Sequence, residues 1–157
     1  DELGNDIPPR LKKRLKRVEG KPALLIAAQT EGAVEDIYFS QKDIREVQLA
    51  KAAIAAGIQV LLKEMGITAK EIDALYLAGG FGNYIDYNEA INIGLLPKEL
   101  RGKVVSIGNG AGVGAKMTLL SQDYYSKAER IRAKTEYLEL STSMDFQDLF
   151  VKLLEFN

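Results

Sequence analysis

Residues 72–85 read IDALYLAGGFGNYI, and the reading of this stretch decides the fold. Ala74–Ala78 is an almost wholly apolar run of strand length that ends on Gly79-Gly80, one Phe, and Gly82. Apolar strands without polar alternation belong to sheets covered on both faces. Glycines packed this densely remove side chains where a backbone turns sharply or comes close to something else. Two local readings follow: a packing turn over a strand end, or a shelf for a ligand.

Upstream, SQKD places Ser40 at an N-cap with Asp43 three residues later, the pattern of a capping box. It opens a helix predicted over Lys42–Met65, with Ile44, Val47, Ile54, Ile58, Leu61 and Met65 on one face and Gly66 as the stop. Lys51 falls near the centre of that apolar stripe, so its ammonium needs a carbonyl, carboxylate or phosphate, or must snorkel along its stem. Ala23–Gln29 and Val34–Ser40 flank TEGA as a predicted hairpin. Residues 1–22 read as a polar, basic lead-in, and RLKKRLKR (Arg10–Arg17) as a solvated linker or a basic surface helix.

Downstream, DYNE (Asp86–Glu89) opens a further helix closed by Gly94 and Pro97, with Asp86 and Glu89 read as caps. KVVSIGN (Lys103–Asn109) is a second buried strand, followed by GAGVGAKMTLLS, a helix whose small residues permit close packing. Tyr84 and Tyr87 read as half-buried tyrosines. A surface helix (DYYSKAERIRAK), a short strand (EYLEL) and an amphipathic helix with Phe146, Leu149, Phe150, Leu153 and Leu154 on one face complete an α/β chain.

The 157 residues carry a formal charge of −1 and contain neither cysteine nor histidine. Disulfides, cysteine-held iron–sulfur clusters, the usual zinc sites and histidine-based acid–base chemistry are therefore excluded for these residues. The charge balance gives no basic field for nucleic acid. No apolar run has membrane-spanning length and no signal-peptide pattern opens the chain, so a soluble, cytoplasmic protein is expected. The first residue is Asp1 rather than Met, which leads to the expectation of a fragment.

The second glycine cluster, GAGVGA at Gly110–Ala115, fits G-x-G-x-x-A after a strand, with Glu139 at the end of a later one. A dinucleotide-binding turn has that layout, although the motif lies late in the chain and no second mononucleotide half follows. The order of segments gives a different reading. SQKDIREVQLAKAAIAAGI, LAGGFGNYID, IGLLP, GNGAGVGAKMTLLS and YLELSTSMDFQDLFVKLLEF, spread over about Ser40–Phe156, together resemble the C-terminal part of the actin-like ATPase domain of reductive activators of corrinoid proteins.

The resemblance implies a partial actin-like, ribonuclease H-like lobe with a mixed sheet flanked by helices, covering residues 23–157. It implies that Gly79, Gly80, Phe81, Gly82 and Asn83 form the adenosine loop, with Gly108, Asn109 and Gly110 near the same cleft. It implies ATP or ADP with magnesium as cofactor, and an iron–sulfur cluster carried by an N-terminal, ferredoxin-like domain outside these residues. The implied partners are a corrinoid protein, the remaining lobe of the same ATPase domain and a second copy in a homodimer. Gln48 and Lys51 lie in the preceding motif helix without an assigned nucleotide contact. Actin-like ATPases hold phosphate and metal with D-x-G hairpins, and no Asp here is followed two residues later by Gly. The chain is thus expected to supply half a site and neither to hydrolyse ATP nor to carry electrons alone. The alternative is a stand-alone, non-catalytic module that binds a nucleotide or a partner.

Overall fold

The computed structural model describes residues 7–156, without the side chains of Phe81 and Asn83. The chain divides into two compact units, Asp1–Ala50 and Lys51–Asn157. The fold is α/β, with antiparallel and parallel pairings in two separate sheets.

In the first unit, a short helix α1 (Pro9–Lys12) leads into an antiparallel sheet of β1 (Leu15–Val18), β2 (Lys21–Ala27) and β3 (Ile37–Ser40). The basic run expected as linker or helix is therefore split between α1 and a strand. Glu19 and Gly20 join β1 to β2 with φ of 50° and 79°, and Val18 pairs with Lys21. A two-residue loop with both φ positive has the twist that hairpins favour. Arg14 pins the sheet from the side, donating to the Leu25 and Ile26 carbonyls and to both Glu31 carboxylate oxygens at 2.9 and 3.0 Å. The β2–β3 hairpin forms as expected, but Val34 is exposed and the second strand starts only at Ile37.

The long helix α2 (Gln41–Glu64) has both predicted ends. Asp43 accepts from the Ser40 amide at 2.7 Å and from the Ser40 hydroxyl at 2.6 Å, and the Asp43 amide returns a bond to Ser40 Oγ. Those bonds, the Ser40 hydroxyl's first, hold the Asp43 carboxyl below its ordinary pKa. At the other end, Gly66 has φ 65° and donates to the Lys63 carbonyl while Ile67 donates to Leu62. This is a Schellman closure, and it requires a left-handed residue at Gly66. The buried face differs from the expected one: it runs through Lys51, Ala52, Ala55, Ala56, Gly57 and Val60, while Leu61 and Met65 are exposed.

In the second unit, β4 (Leu75–Ala78) and β5 (Val104–Gly108) run parallel, as a strand–helix–strand crossover requires. Between them lie α3 (Gly79–Tyr84) and α4 (Tyr87–Asn92). Asp86 caps α4 by accepting from the Asn88 and Glu89 amides; Glu89, expected as a cap, instead accepts from the Asn92 side chain. Ala90, Ile91 and Leu96 form the core, with Ile58, Leu75, Ile85, Leu95 and Val104 packed against it. Among the described residues one face of this strand pair is covered: burial alternates along β4, and Tyr76, Val105 and Ile107 are exposed.

Helices α5 (Gly110–Leu120), α6 (Gln122–Arg132) and α7 (Met144–Lys152) follow. Glu136–Leu140, expected as a strand, pairs with no other strand among the described residues. Its conformation is fixed locally: Glu139 accepts from Tyr137 Oη at 2.5 Å and from the amide and hydroxyl of Ser141. The five predicted apolar residues, three in α7 and Leu153 and Leu154 just past its end, are all half-buried, and Phe146 and Phe150 stack with ring centroids 6.1 Å apart.

Candidate functional site

Both glycine clusters lie at the carboxyl ends of the two parallel strands, where α/β sheets open a crevice for ligands. Helix α3 begins directly on the last residue of β4 and packs on both β4 and β5. Gly79 turns the chain with φ 70°, a left-handed conformation that side chains rarely adopt. A Cβ at Gly79 or Gly80 would meet no atom within 4 Å, so these residues present bare backbone to open space. Gly82 is the reverse case: a Cβ there would come within 2.9 Å of the Leu77 carbonyl carbon. The loop is therefore open at its first two glycines and tightly seated at its third. The backbones of Phe81 and Asn83 belong to α3, and their side chains lie outside the described residues.

At the end of β5, Gly108 turns with φ 56° and Asn109 becomes the N-cap of α5, its Oδ1 accepting from the Gly112 amide at 2.9 Å. A Cβ at Gly110 would lie 3.1 Å from Ile107 Cδ1 and 3.9 Å from the Ala78 side chain. Gly110 thus brings the second loop up against the end of β4. A Cβ at Gly112 would strike the capping Asn109 side chain, and one at Gly114 would meet nothing. Among the described residues every residue of α5 is exposed or half-buried, and the close contacts of its small residues are those of Gly110 with Ile107 and of Gly112 with Asn109.

Lys51 is fully buried. Its Nζ donates to the Glu155 carbonyl and lies 5.4 Å from the centre of the Phe156 ring. The carbonyl and the ring face compensate part of the cost of removing an ammonium from water, and desolvation lowers the lysine pKa. Of the partners open to Lys51 from the sequence, the structure supplies a backbone carbonyl. Gln48 is half-buried on α2, and Tyr84 is 91% exposed rather than half-buried. A separate hollow of about 760 Å³ is lined by Gln59, Thr68, Lys70, Asn92, Lys98 and Leu153 among others, and neither glycine loop contributes to it. Its shape alone does not place chemistry there.

The dinucleotide reading of Gly110–Ala115 finds no support in this geometry. The helix N-terminus is already bonded by Asn109, and Glu139 ends no strand and is engaged by Tyr137 and Ser141. Those bonds, that of the Ser141 hydroxyl above all, lower the Glu139 pKa to about 2. A site residue not foreseen from sequence is Ser106 on β5, whose hydroxyl donates to the Gly82 carbonyl. A lone serine inside an apolar strand carries no motif that would have flagged it.

Glycine loops at the carboxyl ends of two parallel strands, in this order of elements, are the arrangement of a lobe of the actin-like class. The chain belongs to the family described as the C-terminal domain of RACo, the ASKHA domain, whose model matches residues 4–157. It is 44% identical over 117 residues to the corrinoid activation enzyme RamQ of Eubacterium limosum, covering 74% of this chain and 20% of that protein. It is 29% identical over 119 residues to a [Co(II) methylated amine-specific corrinoid protein] reductase of Methanosarcina barkeri, covering 73% of this chain and 22% of the relative. A solved reductive activator for a corrinoid, iron–sulfur protein matches with a TM-score of 0.79 and 35% identity, over 91% of this chain and 23% of that one. The chain therefore spans about a fifth of the length of the curated relatives it matches.

Proposed function

We propose that these residues form the adenosine side of the nucleotide cleft in an ATP-dependent reductive activator of a corrinoid protein. The carrying observation is the pair Gly79-Gly80 at the end of β4, bare toward open space and turned by a left-handed Gly79. The flat adenine ring of a nucleotide can lie closest to backbone where no Cβ atom stands in the way. Gly79–Asn83 would hold the nucleoside, with Gly108–Gly110 forming the adjoining wall. ATP hydrolysis would supply the free energy for an uphill electron transfer to the cobalt of the corrinoid partner.

The relatives support the corrinoid partner through their own activities, as an activation enzyme and a Co(II) corrinoid protein reductase. Magnesium and the phosphates would be held by the other lobe of the ATPase domain. Among the described residues no group of three or more Asp or Glu carboxylates is placed to hold a metal ion. The chain has no cysteine for a cluster, so the electrons would arrive through another domain. No helix among the described residues is long and apolar enough to cross a membrane, and we place the activator in the cytoplasm.

The test is a titration of the labelled chain, followed by amide chemical shifts, with ADP and with NAD at millimolar concentration. ADP is expected to shift Gly79–Gly82 and Gly108–Gly110, and NAD to leave Gly110–Ala115 unmoved. No shift with ADP, or shifts confined to the hollow beside Gln59, overturns the proposal.

A further inference from the structure

The nucleotide reading leaves open what keeps so glycine-rich a loop in one conformation. Ser106 is paired with Leu77 across the parallel sheet, and just beyond it the register shifts: Ala78 pairs with Gly108, so Ile107 is passed over. An extra residue of this kind re-aims neighbouring side chains and is over-represented beside functional sites. The Ser106 hydroxyl crosses to donate to the Gly82 carbonyl, 24 residues away in sequence. Gly82 lies in the last turn of the six-residue helix α3, where carbonyls have no partner within the helix. Gly82 also rests on the Leu77 carbonyl so closely that no Cβ fits, and a Cβ there would lie 3.5 Å from Ser106 Oγ. The loop is thus held at Gly82 against Leu77 and Ser106 on the two neighbouring strands, while Gly79 and Gly80 stay open.

We infer that Ser106 is a positioning residue for the Gly79–Gly82 shelf, fixing its backbone in the form that an adenine nucleotide meets. The inference rests on the nucleotide reading above, and its physical basis is preorganisation. Glycines lose more conformational freedom on ordering than other residues, and a ligand that must order its own loop binds more weakly. The hydroxyl is the operative group. Ser106→Ala and Ser106→Val remove it with less and more volume respectively, while Ser106→Thr retains it.

Hydrogen exchange and equilibrium binding of ADP are measured on the same four proteins. For Ser106→Ala and Ser106→Val, exchange at Gly80–Tyr84 is expected to quicken about tenfold and ADP affinity to fall about fivefold, the scale of one lost hydrogen bond. The thermal midpoint should fall by no more than the few degrees that one lost hydrogen bond costs, the exchange that proceeds by local opening of α2 and α4 should stay as in the parent, and Ser106→Thr should behave like the parent throughout. Unchanged loop exchange in Ser106→Ala and Ser106→Val overturns the inference. Faster exchange spread evenly over the unit also overturns it, because Ser106 would then serve general stability. If the loop loosens as expected but the parent chain binds no ADP, the positioning of the loop stands and the nucleotide reading falls.

Discussion

The loop after β4 and the loop after β5 occupy equivalent ends of neighbouring parallel strands, and both are rich in glycine. After β4, the glycines serve a surface: Gly79 and Gly80 face open space, and Gly82 seats the loop on the Leu77 carbonyl. After β5, the space is filled from within the protein. Ile107 lies under Gly110, and the Asn109 side chain bonds the Gly112 amide. Glycine density alone therefore does not mark a ligand site. What distinguishes the two loops is whether the Cβ atoms missing at the first glycines would meet protein, as at Gly110, or open space, as at Gly79 and Gly80.

The comparison breaks most readily at Gly82. Gly82→Ala forces a methyl group against strand backbone that cannot swing aside, so a loss of about 2–3 kcal/mol in unfolding free energy is expected from chemical denaturation. A variant as stable as the parent would show that the loop is not seated on Leu77. Gly114→Ala tests the other side, because its Cβ would meet nothing within 4 Å in an interior turn of α5. A gain of about 0.5–1 kcal/mol is expected by the same assay, and a loss would mean that α5 has a close neighbour there.

A smaller, local effect concerns Glu139, the acidic residue that the dinucleotide reading needs. Its pKa in the fold is about 2, below the ordinary 4.5, because the Ser141 hydroxyl, Tyr137 and the Ser141 amide donate to it. A lowered carboxylate contributes stability that is present above pH 4.5 and is lost as pH falls through about 2. The Tyr137 and Ser141 resonances are expected to titrate together within that window, and Glu139→Gln to abolish the step. Titration near 4.5 would return Glu139 to the pool of free carboxylates.

Much of the chain from Ser40 onward was legible because its signals are local. The ends of α2 follow from Ser40 with Asp43 and from Gly66, and α4 from Asp86, since caps act within a few residues of chain. The β4 and β5 strands follow from short apolar runs between glycines and polar turns. What stayed hidden depends on contacts distant in sequence. β1 lies within a basic run, and its turn uses Glu19 at positive φ where Asn or Asp is the usual signal. Glu136–Leu140 has strand composition but no partner strand among the described residues. One-sided burial of β4 was illegible because Tyr76 is as apolar as a covered residue. In the site, the glycine positions were readable, but the tight seat of Gly82 and the bond from Ser106 exist only once β5 lies beside β4.

The central claim is that in the proposed cleft the loop after β4 meets the adenine, and Gly108–Gly110 after β5 form only its adjoining wall. Photolabelling the chain with an azido-adenine nucleotide, followed by peptide mapping, tests it most directly. Label within Gly79–Tyr84, displaced by excess ADP, is the predicted result; displaceable label confined to Gly110–Ala115 or to the hollow beside Gln59 would contradict it.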